Sequence, residues 1–163
     1  EMVGGMPGVH LPRAIREDPV RQGLLFLGTE HGLFVSFDNG GAWEPLRLNL
    51  PVTPVHGMVV HGADLVIATH GRGFWVMDNI SVLRQLTPAI TSEDVHLFEP
   101  PAVTRTAQRG VGIEYFLKTA ADRLTIEPLD ASGAVVRTVT EPASPDPAPE
   151  AADAGRAAGR ERG

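Results

Sequence analysis

Apolar residues between positions 24 and 80 fall in short runs instead of helical stripes. The segments "LLFLGTE", "GLFVSFD", "AWEPLRL", "VHGMVVH", "DLVIATH" and "GFWVMD" are rich in Val, Leu, Phe and Trp, and Gly, Asn, Asp and His divide them. Runs of this kind bounded by turn-forming residues read as β-strands. None of them keeps a helical period over the ~11 residues that would argue for a helix. The pattern predicts an all-β meander.

The meander repeats. Setting "LFLGTEHGLFVSFDN" under "LVIATHGRGFWVMDN" places Leu25 over Leu65, Thr29 over Thr69 and Asp38-Asn39 over Asp78-Asn79, an offset of 40 residues. A one-residue slip in the middle also puts Gly32 over Gly73 and Phe34 over Trp75. That spacing matches a four-stranded propeller blade of ~40–45 residues, not the ~33–34 of helical repeats.

The texture changes after Thr87. "DVHLFEPP", "GIEYFLKTAA" and "LTIEPLDASGAVVRTVT" are further strand-like segments, the last a hairpin turning at Asp130-Ala131-Ser132-Gly133. They carry no echo of the repeat. Residues 1–87 are therefore expected to form terminal propeller blades, and residues 88–140 a separate, partial β-sandwich-like module with its boundary near 87–94. From Glu141 to Gly163 the chain has no Val, Ile, Leu, Met or aromatic residue. Such a Pro- and Ala-rich segment cannot bury enough apolar surface to offset its ordering entropy, and it is expected to be a disordered tail.

Between the second and third of these runs, "VSFDNGGAWEPL" sets Ser36, Asp38, Gly40 and Trp43 at the spacing S-x-D-x-G-x-x-W. A hairpin turn must satisfy backbone N–H groups that have left the ladder, and an Asp side chain can accept from amides just beyond it. Gly40 and Gly41 permit a positive φ where the chain reverses. Ser36 can donate or accept across the turn, and the Trp43 indole can pack beneath it. The motif reads as a fold staple.

"SFDNGGAW" resembles the Asp-box, or BNR repeat, of sialidase-like and sortilin-like β-propellers, matching at Ser36, Asp38, Gly40 and Trp43. The wider run over residues 13–100 resembles the last blades of large bacterial BNR-repeat proteins usually labelled glycosyl hydrolases. The second copy departs from the motif: Asp78-Asn79 continues as "ISVL", without the Gly or the Trp, which suits a terminal blade. The resemblance implies an all-β fold made of the last one to two blades of a propeller, in a parent that is exported to the extracellular or periplasmic side and acts on or binds glycans. Two alternatives remain beside a scaffold-and-rim role: a glycoside hydrolase with its catalytic acids mainly in other blades, and a sortilin-like propeller that binds peptides or proteins.

Turns of an up-and-down blade alternate between the two ends of the sheet. With Asp38 and Asp78 after the third strands, Glu30-His31 and His70-Gly71-Arg72-Gly73 fall at the opposite end, where the resemblance implies a ligand pocket. Glu30, His31, His70 and Arg72 are thus the candidate pocket residues. Each also has a plain reading as a solvated or strand-capping turn residue, and Arg72 alone offers bidentate carboxylate recognition.

No catalytic set is complete. Sialidase-type chemistry needs an arginine cluster and a Tyr–Glu pair, and the single tyrosine, Tyr115, lies in the second module. No serine occupies G-x-S-x-G, and "THGRGFW" lacks the Lys and helix start of a phosphate loop. The histidines at 10, 31, 56, 61, 70 and 96 show no metal-ligand spacing, so neither a metal nor a cofactor is expected.

Composition narrows the partners. A net charge of −6 with scattered basic residues argues against nucleic acid, and no apolar run approaches the ~18 residues needed to cross a bilayer as a helix. Cysteine is absent, which excludes disulfides and thiolate chemistry. The expected partners are a carbohydrate or peptide ligand and the remaining blades of a longer parent, since this chain starts at Glu1 with no signal-like segment.

Overall fold

The computed structural model describes residues 11–47, 49–100 and 112–142. Strands β1 (Pro12–Glu17), β2 (Leu25–Thr29), β3 (Gly32–Ser36) and β4 (Glu44–Pro45) form an antiparallel four-stranded sheet in chain order. Strands β5 (Val55–His61), β6 (Asp64–Thr69) and β7 (Phe74–Met77) form a three-stranded sheet in the same up-and-down order. Helices α1 (Ser81–Gln85) and α2 (Pro88–Ser92) follow. Two ribbons come last, β8 (Val95–Leu97) with β9 (Tyr115–Leu117), and β10 (Arg123–Ile126) with β11 (Val139–Pro142). The class is all-β, built from several small antiparallel sheets.

The repeat seen in the sequence is also a repeat of register. Leu27 pairs with Phe34 as Ile67 pairs with Trp75, and Leu25 pairs with Ser36 as Leu65 pairs with Met77. The threonines at the end of each hairpin do the same work: the Thr29 hydroxyl donates to the Gly32 carbonyl at 3.1 Å, and that of Thr69 to the Gly73 carbonyl at 2.7 Å. The second turn is one residue longer, which accounts for the slip in the alignment.

The sheets stack through one core. Leu24, Phe26, Leu33 and Val35 of the first meet Val55, Met58, Leu65 and Ile67 of the second, with Ile80 sealing the end. Gly28 lets them close, since a Cβ there would stand 2.6 Å from Val55 Cγ1. On the other face of the first sheet, Leu25, Leu27, Phe34 and Trp43 form a second buried cluster. Both faces of β2 and β3 are therefore buried, as their unbroken apolar runs require.

The outward face of the second sheet is different. Its register places Val59, Val66 and Val76 in one row and Gly57, Ala68 and Phe74 in the next. Phe74 is 80 % exposed, Val76 54 % and Val59 53 %.

Three features escaped the sequence pattern. β1 is the edge strand "PRAIRE", half of it charged and nearly all of it exposed, with Ala14 touching the core. α1 and α2 have five residues each, too short for a periodic signature, and α2 is set by Thr87, whose side chain accepts from Ile90 N, and by Pro88 in its first turn. "AWEPLRL", read as a full strand, forms ladder pairs at Glu44 and Pro45, with the Leu46 N–H donating to the Leu33 carbonyl at 2.9 Å.

β10 and β11 form the expected hairpin, turning at Asp130, whose Oδ1 accepts from the Ser132 N–H at 2.8 Å and the Ala134 N–H at 3.0 Å. β11 runs to Pro142, two residues into the segment read as a tail. The rest of that tail, 143–163, and His10 lie outside the described residues.

Candidate functional site

The Asp38 turn joins β3 to β4. Ser36 is buried and works in both directions: its hydroxyl donates to Asp38 Oδ1 at 2.8 Å and accepts from the Gly40 N–H at 2.9 Å. Asp38 Oδ1 also accepts from the Ala42 N–H at 2.9 Å. These bonds from Ala42 and Ser36 hold the Asp38 carboxyl below its usual range, against a small opposing effect of desolvation. Asn39 and Gly40 take positive φ, 61° and 89°. Gly41 does not. Its lack of a side chain is needed for space, since a Cβ there would stand 2.8 Å from Asp38 Oδ2. Trp43 packs with Leu25, Leu27 and Phe34. The Ser36 hydroxyl, Asp38 Oδ1 and the Gly40 N–H are thus all spent on the turn.

The second turn keeps the backbone shape without the staple. Asn79 has φ 57°, close to that of Asn39, but its side chain accepts from the Ser81 N–H and hydroxyl, and its N–H donates to Asp64.

Glu30, His31, His70 and Arg72 do sit at the end of the sheets opposite Asp38, in the β2–β3 and β6–β7 turns. They fall into two groups. Glu30 lies 3.8 Å from both Arg13 Nη2 and His31 Nδ1, in loose pairs at a half-exposed rim. His70 instead stacks on His56, ring centroids 5.2 Å apart and planes inclined by 25°. Its N–H donates to the Pro54 carbonyl, and its own carbonyl accepts from the buried Thr53 hydroxyl. Arg72 is exposed, and its carbonyl accepts from the Trp75 indole at 3.0 Å. Arg13 and His56 were not singled out in the sequence. Arg13 lies in the unrecognised β1, and His56 is brought to His70 only by the sheet register. Among the described residues, no three His, Cys, Asp or Glu side chains gather into a metal-holding group.

The Asp38 end carries two features that the sequence hid. One is a reciprocal arginine clamp. Arg84 of α1 reaches Asp18 with Nη2–Oδ1 at 2.7 Å and also donates to the Gly62 carbonyl, tying the first turn of one sheet to that of the other. Arg21 returns the contact, donating to the Leu83 and Leu86 carbonyls while its guanidinium stands 5.2 Å over the Phe37 ring. Burial of Asp18 raises its pKa, but the bonds from Arg84 and from the Arg21 and Val20 amides outweigh that and hold the carboxyl below its usual range.

The second is a cleft of about 300 Å³ lined by Arg21, Phe37, Asp38, Glu44, Thr87 and Thr91, among others. Its volume is at the lower limit for small-molecule sites. It opens at the Asp38 end, whereas the sequence placed the candidate pocket residues at the opposite end. No family model, curated protein or solved structure matches this chain.

Proposed function

We propose that the chain is a segment of an Asp-box β-propeller, serving as scaffold and ligand-facing rim in an exported protein that binds or acts on glycans. One observation carries the reading. The open face of the second sheet, with Val66, Ala68, Phe74 and Val76, is position for position the counterpart of Phe26, Gly28, Leu33 and Val35, the face by which the first sheet packs on the second. Repeating the same step sets a further sheet on the open face, and continued steps of one hand close into a ring. The motif residues agree with this role, because Ser36, Asp38, Gly40 and Trp43 all serve the turn.

The ligand rim is the end bearing Glu30, His31, His70 and Arg72. Arg72, exposed in the turn between β6 and β7, offers a planar donor fork there. Glu30 is the one carboxylate in the two turns of that end, so two-acid hydrolysis would need its acids from elsewhere in the parent. For this segment, binding is favoured over catalysis.

The test is titration of the intact protein with defined oligosaccharides, followed by intrinsic tryptophan fluorescence and by product analysis. Arg72→Ala is expected to weaken binding about tenfold. Unchanged affinity removes Arg72 from the rim, and release of reducing sugar would favour the hydrolase reading.

A further inference from the structure

Asn39-Gly40 is the only Asn-Gly pair in the chain. In such a pair the glycine nitrogen meets no side chain of its own and can attack the neighbouring amide. The Gly40 N would form a bond to Asn39 Cγ, the Cγ–Nδ2 bond would break, and ammonia would leave carrying the proton that Gly40 N gives up through solvent. Water then opens the cyclic imide at either carbonyl, leaving aspartate or isoaspartate at position 39. Water enters, ammonia departs, and no other reactant is needed.

The turn opposes this reaction. Gly40 is buried, and its N–H donates to Ser36 Oγ at 2.9 Å, while the Ser36 hydroxyl is itself committed to Asp38 Oδ1. The nitrogen that would attack is therefore kept protonated and out of water. Asn39 Cγ is held by a backbone at φ 61°, tied through the Asn39 N–H to the Gly23 carbonyl at 2.9 Å. Its own side chain is exposed to solvent. Release of this single bond, by local opening of the turn, frees the nucleophile.

We propose that Asn39 is a deamidation site kept silent by the Ser36–Gly40 hydrogen bond, and that its conversion records opening of this turn. The product cannot return. Isoaspartate adds a backbone carbon between Asp38 and Gly40, so the bonds from Gly40 to Ser36 and from Ala42 to Asp38 cannot both re-form, and the turn stays open. Asn79 supplies an internal control. It has the same left-handed backbone, yet Ile80 follows it, and a β-branched neighbour hinders the attacking nitrogen.

The experiment incubates the full chain at mildly alkaline pH and maps deamidation by peptide mass spectrometry, with isoaspartate counted by enzymatic methylation. The native chain is expected to convert Asn39 at least about tenfold more slowly than the same chain in urea, and Ser36→Ala to convert it roughly five- to tenfold faster than wild type under native conditions. Asn79 should stay intact throughout. Should Ser36→Ala prove unfolded by circular dichroism, wild type at a series of sub-denaturing urea concentrations replaces it, with the Asn39 rate expected to rise before global unfolding. Equal rates in native and unfolded wild type overturn the proposal, as does a folded Ser36→Ala variant no faster than wild type.

Discussion

The two sheets share a register and differ in what covers them. β2 and β3 are buried on both faces, between the second sheet on one side and the Trp43 cluster on the other. β6 and β7 meet the core with Leu65, Ile67, Trp75 and Met77, and turn Val66, Phe74 and Val76 outward, Phe74 and Val76 more than half exposed. The same hairpin thus appears once as the interior of a stack and once as its surface. Stability in such an arrangement comes from stacking, because a sheet with one apolar face in water lacks half of its burial.

Paired substitutions at matched positions put that contrast to the test. Phe26→Ala should cost about 3–5 kcal/mol in urea denaturation, since Phe26 is fully buried. Its counterpart Val66→Ala should cost under about 1 kcal/mol in this chain. Equal costs would mean that the second face is covered.

The link between the sheets comes next in size. Asp18→Ala leaves Arg84 and two backbone amides without their acceptor, and should cost about 3 kcal/mol. A loss below about 1 kcal/mol would reduce the clamp to a surface ion pair. Overpacking probes the same interface from inside. Gly28→Val drives a side chain into Val55 and should cost about 1–3 kcal/mol, while the matched Ala68→Val should stay within about 0.5 kcal/mol of wild type.

The smallest effect is the dependence on pH. Asp18 and Asp38 both have depressed folded-state pKa values, so they bind protons more weakly folded than unfolded. Their contribution is complete above the unfolded value of about 4 and is lost as pH falls through the lower folded values. Thermal melts should be flat near neutral pH and decline below about pH 4, with Asp18→Asn reducing that decline. An unchanged acid slope in Asp18→Asn would assign the effect to other carboxylates.

What could be read from the sequence was what local pattern encodes. The alternation of apolar runs and turn residues located β2, β3, β5, β6 and β7, and the offset between Asp38-Asn39 and Asp78-Asn79 anticipated the matched hairpins. β1 was missed because an edge strand on solvent has no need of apolar residues, and Arg13, Arg16 and Glu17 hide it. The Asp18–Arg84 clamp joins residues 66 positions apart and leaves no local signature. The same holds for the stacking of His56 on His70, which depends on how β5 and β6 align. The carboxylate staple of the first turn was legible because Ser36, Asp38 and Gly40 act within five residues of chain. Gly41 was assigned to the wrong cause, since its requirement is room beside Asp38 and not a positive φ.

The open face of the second sheet holds the central claim. A structure of the intact protein tests it most directly. Val59, Val66, Phe74 and Val76 are expected to lie buried under the apolar face of another antiparallel sheet, stacked as the second sheet stacks on the first. Finding those four side chains in water, or covered by helix, would contradict it.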